Sequence, residues 1–500
     1  MSNLKKTITS SFLLSFEAIL RKMVGLVSTL VLARMLVPED FGIIAIALMV
    51  MGLLEAVKHF GGGAYLLRAE KVTDDMLNTA WTIGVISSVV IAIILVLATP
   101  FIVHFFEDDR LYNILWVYAS LFIFKGVGNP GTVFLKREQR YMPIVKLAIV
   151  GKVISVAAAV TVALIYKNYW ALVIGQYVIS VTGSLGTYFI HSYRPRFSLN
   201  NFKEQWSFSG WWLLQSVLGY CKSQLDTFLV SATFSKAALG SYYTMKYLAS
   251  IPTTYLIGPA TEPLLVQLTK IKDTGDYFFK QYNVSIIVPL AIAIPGCAFL
   301  FINHRLATLT ILGPNWEEYS QLFTIFCTAI ITLLVQQHAC RIFLIHAKTK
   351  AIFYYELISF VMVYGCLILF KIDDLTYFAT TKISLEFAFS MLIFTYVTIK
   401  YTSLKNYFIC LLSIIPIIIA SLIASYFSHY IETHYLEFSS ILLLQFLLTT
   451  AIFGGIYFMS LLLQAYLLKS INKEWLYIWN FLLKMINTVS NKIHLKKNKA

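Results

Sequence analysis

Residues 77–106 read LNTAWTIGVISSVVIAIILVLATPFIVHFF, thirty positions without an Asp, Glu, Lys or Arg. A helix rising about 1.5 Å per residue over that run outspans the roughly 30 Å hydrocarbon core of a bilayer. The stretch is a membrane span, and the rest of the chain agrees with it. The 500 residues are 58% hydrophobic and 13% charged, with a mean hydropathy of +0.73. Ordinary soluble domains carry about 25% charged residues. The 37 Phe, 30 Tyr and 9 Trp supply rings for both membrane interfaces. Disorder, collagen and disulfide scaffolds are excluded. Cys221, Cys297, Cys327, Cys340, Cys366 and Cys410 all fall in apolar runs with no CxxC pair, so reduced structural thiols are expected. Lys5 and Lys6 before an apolar stretch imitate a signal peptide, but Arg21, Lys22 and Arg34 interrupt it, so the first span should be retained.

Apolar windows predict fourteen helices, near 8–37, 41–66, 77–106, 111–135, 142–166, 168–192, 206–234, 238–268, 281–303, 319–346, 351–370, 375–399, 406–428 and 438–468. The loops test the count, because short cytoplasmic loops are enriched in Lys and Arg. The N-terminal segment, alternate loops and the tail carry 24 basic residues on one side, against Arg110, Lys167, Lys236, Arg305 and Lys371 on the other. An even number of spans with both termini cytoplasmic explains that asymmetry.

The chain also looks duplicated. At an offset of 198 residues, Thr29 to Gly42 lies over Thr227 to Gly240, and Glu17, Arg21 and Ser28 coincide with Gln215, Gly219 and Asp226. Each copy is a span, a tight corner and a second span. The expected fold is an all-α integral membrane protein of about 14 transmembrane helices. Two pseudo-equivalent six-helix lobes would occupy 1–195 and 196–403, with two extra C-terminal helices over 404–468. The tail 469–500, with Trp475, Leu476, Trp479, Leu482, Leu483 and Ile486 at helical spacing among lysines, reads as a basic amphipathic cytoplasmic helix on an anionic leaflet or as a topology signal.

Eleven basic and six acidic residues remain inside the windows. Each costs roughly 2.5–3.5 kcal/mol at a span centre, so most must line water or one another. Arg21, Lys22, Lys125, Lys152 and Lys222 fall near the centres of their windows, whereas Arg34 and Lys146 lie near ends and can snorkel. Nine of the eleven precede position 250, against Glu17, Glu55 and Asp226 among acids, which predicts a net positive interior suited to an anionic substrate. Glu17 with Arg21, and Lys222 with Asp226, are i, i+4 pairs that could instead neutralise each other. Lys125 and Lys152 have no acid one turn away, leaving a substrate-facing role or a partner on another helix. Glu17 and Asp226 are also candidates for a coupling proton or sodium ion. Lys246 joins them among secondary candidates. His338 and Arg341, with Gln337, could meet sugar hydroxyls or phosphate, or form a packed polar seam. Glu55, Lys58 and His59 read as a polar cluster at one end of the second helix.

Catalysis has little to hold it. No Gly-rich phosphate loop, G-x-S-x-G or H-E-x-x-H occurs, and short connections leave no room for an external domain. Asp74-Asp75, Asp108-Asp109 and Asp373-Asp374 sit where carboxylates cap helices. No catalytic residue, metal site or nucleic-acid partner is expected.

Leu32-Ala33-Arg34-Met35-Leu36-Val37-Pro38-Glu39-Asp40-Phe41-Gly42, Phe134-Leu135-Lys136-Arg137-Glu138, Gln224-Leu225-Asp226 followed by Ala238-Leu239-Gly240-Ser241-Tyr242, and Leu312-Gly313-Pro314-Asn315-Trp316 together resemble the polysaccharide-synthesis flippases. These belong to the exporter superfamily that also holds multidrug extruders and peptidoglycan-precursor flippases. The resemblance covers about 1–400; beyond it only hydropathy agrees. It implies a basic cavity between two lobes that moves an undecaprenyl-diphosphate-linked oligosaccharide, an O-antigen or exopolysaccharide repeat unit, from the cytoplasmic to the periplasmic leaflet of a bacterial inner membrane. By that analogy Arg21, Lys125, Lys152 and Lys222 would meet the diphosphate. Partners would be the lipid-linked oligosaccharide, membrane lipids and polysaccharide polymerase machinery, and no cofactor is expected beyond a coupling cation. The competing readings are a cation-coupled multidrug extruder, which calls for an acid-rich cavity, and a membrane polymerase or ligase, which calls for a long catalytic loop.

Overall fold

The computed structural model describes residues 3–58, 65–67, 69, 71–253, 268–271, 274–436 and 442–468. Among these, every long element is a helix. The helices are α1 (Asn3–Met35), α2 (Pro38–Lys58), α3 (Asp74–Phe106), α4 (Arg110–Gly126), α5 (Met142–Tyr166), α6 (Trp170–Leu185) and α7 (Phe202–Thr233). They continue as α8 (Lys236–Pro252), α9 (Asp276–Ile311), α10 (Ser320–Ile345), α11 (Thr349–Leu369), α12 (Leu375–Tyr401), α13 (Leu404–Ile431) and α14 (Leu442–Leu468). Ten of the spans so formed are long and apolar enough to cross a bilayer. The remaining four, α1, α4, α7 and α8, are shorter or more polar and occupy the other windows. The protein is therefore an all-α, multi-pass membrane protein. The interfacial tail helix, His59, and the second half of the eighth window lie outside the described residues.

Helix boundaries follow local chemistry. Thr73 caps α3, its hydroxyl accepting from Met76 N; Asp374 caps α12 by accepting from Tyr377 N at 2.6 Å; Ser403 caps α13 through Asn406 N. Of the aspartate pairs, Asp374 thus caps as expected, while Asp109 makes no side-chain cap bond and Asp108 instead accepts from Arg110 N and Nε. One window needs correction. Hydropathy predicts a continuous fourth span over 111–135, but α4 ends at Gly126, and Gly128, Asn129, Pro130 and Gly131 make a turn before a short helix at Thr132–Arg137. Asn129 holds that turn by donating to the carbonyls of His191 and Tyr193. Lys125 therefore sits in the last turn of α4, not at mid-span.

The described residues form two compact units, Met1–Thr244 with Leu312–Trp316, and Met245–Ile311 with those from Glu317 onward. The division falls inside α8, and the lobe boundary expected at 195 lies within the first unit. In that unit α3 packs on α4, α5 on α6, α1 on α5, and α7 on α2. Small residues permit these approaches: the Ser155 hydroxyl donates to Gly175 O at 2.7 Å between α5 and α6, and a Cβ on Gly126 would strike Ser88 of α3. The closest approach is between the starts of α2 and α8. A Cβ on Gly42 would collide with the Lys236 carbonyl, and one on Gly240 with the Pro38 carbonyl. The same offset of 198 relates Gly42 to Gly240 and Pro38 to Lys236, so the crossing is reciprocal, as two copies of one motif related by a pseudo-twofold would make it.

The quoted Leu312–Trp316 segment has a packing explanation. Gly313 has φ +101°, where a side chain would be strained, and its turn delivers Trp316, which is fully buried. The indole donates to Ala33 O at 2.8 Å and stands edge-on to Phe41 at 5.1 Å. In the second unit, α9, α10, α12 and α13 enclose a core that includes Tyr282, Ile286, Phe394 and Cys410. The α9 backbone departs from helical geometry at Asn303, and α14 joins through Phe453 against Phe299, ring centroids 5.2 Å apart.

Candidate functional site

Four of the sequence-derived site residues, Arg21, Lys125, Lys152 and Lys222, lie in the first unit, on α1, α4, α5 and α7. Two polar clusters gather three of them. In the first, Arg21 Nε lies 2.9 Å from Glu17 one turn away on α1. Lys152 of α5, at the middle of its helix, lies across from Gly25, where a Cβ would stand 3.6 Å from its ammonium nitrogen. Gly25 therefore leaves the room that Lys152 occupies. The half-buried Lys152 makes no ion pair among the described residues, and the charge it feels is the like charge of Arg21.

The second cluster sits where α2 and α4 end. Lys125 is paired with Glu55 of α2, and Lys58 lies within electrostatic range of both. Tyr220 of α7 fits over Gly52, donates to Met49 O at 2.8 Å, and also lies within range of Glu55. Lys125 thus has the interhelical partner weighed from sequence, which no i, i+4 search could find because Glu55 is 70 positions away. Among the described residues each cluster holds two cations and one carboxylate, so each keeps a positive charge in excess. For the second, the C-terminal ends of α2 and α4 already favour cations. No such terminus explains Lys152.

The remaining candidates are placed differently. Asp226 is 1% exposed; Tyr242 of α8 donates to its Oδ2 at 2.9 Å, and Thr227 N to its Oδ1 at 2.8 Å. Lys222 is half-buried one turn earlier on α7, and Lys246 half-buried on α8. In the second unit His338 is buried against Tyr282 at 4.5 Å and near Phe394, with Ser285 Oγ 3.4 Å from Nδ1. His338 is thus enclosed rather than on an open surface. Arg341 is half-buried one turn on. Sequence reading missed Gly25 and Tyr220, whose roles are visible only once neighbouring helices are placed.

Outside the spans, a polar knot fastens the start of α2 to the turn between α3 and α4. Arg110 bridges Glu39 at 2.6 Å and Asp108 at 2.9 Å. Burial works to raise the Asp108 carboxyl, but the hydrogen bonds and charge of Arg110, with the charge of Lys236, outweigh it and hold its pKa below the ordinary 3.8. Among the described residues no group of His, Cys, Asp or Glu could hold a metal, and all six cysteines are free.

An all-α multi-pass bundle with charged groups inside its helices defines a class of membrane proteins rather than of soluble enzymes. Within it, residues 31–321 match the polysaccharide biosynthesis protein family, and the chain belongs to that family. It is 22% identical over 335 residues to a membrane protein in the cps region of Klebsiella pneumoniae, covering 66% of this chain and 69% of that one. It is 20% identical over 335 residues to the lipopolysaccharide biosynthesis protein WzxC of Escherichia coli (strain K12), covering 65% and 67%. Its fold is shared with lipid II flippase MurJ in an inward closed conformation, at TM-score 0.70 and 13% identity over 92% of this chain and 99% of that one.

Proposed function

We propose that the protein is a transporter, not an enzyme, and moves an undecaprenyl-diphosphate-linked oligosaccharide, an O-antigen or exopolysaccharide repeat unit, from the cytoplasmic to the periplasmic leaflet of a bacterial inner membrane by alternating access. The observation that carries this reading is Lys152, a mid-helix ammonium without a counter-ion among the described residues and facing the charge of Arg21. Glu17 answers only one of the two positive charges, and the other is costly in a bilayer-spanning bundle unless an anion completes it. A diphosphate does so, and an ammonium on a flexible stem grips it as a point charge that can let go. The prenyl chain stays in lipid while the head is shielded. Membership of the polysaccharide biosynthesis family supports the same cargo. A cation-coupled drug extruder is disfavoured because both clusters would repel a cationic compound.

Reconstitution into proteoliposomes with a lipid-linked oligosaccharide, scoring its arrival in the far leaflet, tests the proposal. Replacing Lys152 or Lys222 by Gln should slow transfer by about ten- to a hundredfold, the worth of one charged hydrogen bond of roughly 1.5–3 kcal/mol. Unchanged transfer in both variants, each folded and inserted, removes the assignment. Repeating the assay with and without sodium or proton gradients decides whether Glu17 or Asp226 carries a coupling ion.

A further inference from the structure

The second unit contains a groove whose lining includes none of the residues of the two charged clusters. A cavity of about 550 Å³ between α9, α10, α12 and α13 is walled by Ile294, Ile331, Phe387, Met391, Leu411 and Ile414. A second, of about 420 Å³, lies toward the C-terminal end of α9 and is lined by His304, Gln321, Thr324, Thr376 and Thr380. Thr328, Ile383 and Ser384 line both, so the two are halves of one amphipathic groove. Each half falls within the roughly 300–1,000 Å³ of small-ligand sites. Its apolar half is continuous with the bilayer-facing surface, since Phe387 and Ile418, which line it, are both 42% exposed.

We propose that this groove binds a glycolipid with an uncharged sugar head, its single hydrocarbon chain in the apolar half and the sugar among the hydroxyls. Among the described residues no Lys, Arg, Asp or Glu lines either half, which argues against a phosphate. The hydrogen-bond inventory argues for a sugar. Thr324 donates to Leu300 O, Thr328 to Ile325 O and Thr380 to Thr376 O, so these three hydroxyls offer acceptor lone pairs, while the Gln321 amide and the Thr376 and Ser384 hydroxyls offer donors. Sugar hydroxyls, which donate and accept at once, use both sets, whereas phosphate oxygens leave the acceptors unanswered. Thr332, one turn beyond Thr328, lines the apolar half with a buried hydroxyl that has no hydrogen-bond partner among the described residues, a group that the oxygen linking chain to sugar would satisfy.

The test uses the full chain in phosphatidylcholine nanodiscs with a dodecyl glucoside carrying a photoreactive group in its chain. Crosslinks should map to Thr328–Val335 and Ile383–Met391 and be suppressed by excess unlabelled dodecyl glucoside but not by dodecylphosphocholine. The double variant Gln321→Leu with Thr380→Val should need about tenfold more glucoside for the same protection. Among the described residues neither side chain makes a tertiary hydrogen bond, and an unchanged melting temperature confirms the fold. Equal protection by dodecylphosphocholine, or crosslinks spread over the lipid-facing sides of α11 and α14, would show a gap filled by ordinary lipid and overturn the proposal. The readout is binding, so it stands apart from the translocation assay.

Discussion

Lys152 owes its position to a missing side chain. Gly25 on α1 leaves its ammonium room, and a Cβ there would sit at ordinary contact distance, 3.5 Å from Lys152 Cε. Gly25→Ala should leave transfer intact and raise the melting temperature slightly, because Gly costs about 1 kcal/mol against Ala inside a helix. Gly25→Leu should displace the ammonium and slow transfer as Lys152→Gln does; equal transfer in both variants would mean that the ammonium's position is immaterial. Asp108 makes a pH prediction. Its folded pKa lies below the ordinary 3.8, so the stability it supplies is complete above that value and lost as pH falls through the folded one. Asp108→Asn should flatten the acid limb of stability below about pH 4 and cost on the order of 1 kcal/mol at neutral pH, the exposure of Arg110 holding it low. Thermal unfolding of both proteins between pH 3 and 7 measures this, and parallel curves would contradict it.

Among the elements, the α2–α8 crossing sets the closest tolerance. Gly42→Ala and Gly240→Ala each press a methyl onto a carbonyl oxygen of the other helix, an overpacking that costs about 1–3 kcal/mol. Because both act on one crossing, the double variant should fall short of the sum. Gly183→Ala, with nothing within 4 Å, is the control and should be neutral or stabilising. Melting temperatures in detergent give all four values, and additive losses would show that the two contacts yield independently. The turn after α4 is the counter-lesson at this scale. Apolar residues continue past Gly126, so hydropathy extended the span, whereas Asn129 and Pro130 end it by backbone chemistry that a hydropathy window averages away.

For the whole molecule, the excess of basic residues in alternate loops predicts that Lys136 and Arg137 share one side of the membrane with the N-terminus, and that Arg305 and Lys371 face the other. Single cysteines at Arg140 and Lys371, in a background whose exposed Cys221 is replaced by Ser, should react oppositely with an impermeant thiol reagent in intact cells, Lys371→Cys labelling and Arg140→Cys requiring permeabilisation. The reverse pattern would invert the topology and with it the proposed direction of transport.

Hydropathy, loop charge and the offset of 198 were enough to read a helical membrane protein built on a repeated span–corner–span motif, because burying apolar surface in lipid and closing backbone hydrogen bonds within a helix are properties of contiguous residues. The cations were legible as a set for the same reason: a charge in an apolar run is conspicuous wherever it points. Which of them are neutralised was not. Arg21 meets Glu17 one turn away, but Lys125 meets Glu55 across 70 positions, Lys152 lies over Gly25, and Asp226 takes a proton donor from Tyr242 on the next helix. Those pairings depend on helix rotation and spacing, which glycines, prolines and side-chain volumes far apart in the chain fix jointly, so only the packed structure distinguishes a lysine with a counter-ion from one that has none among the described residues.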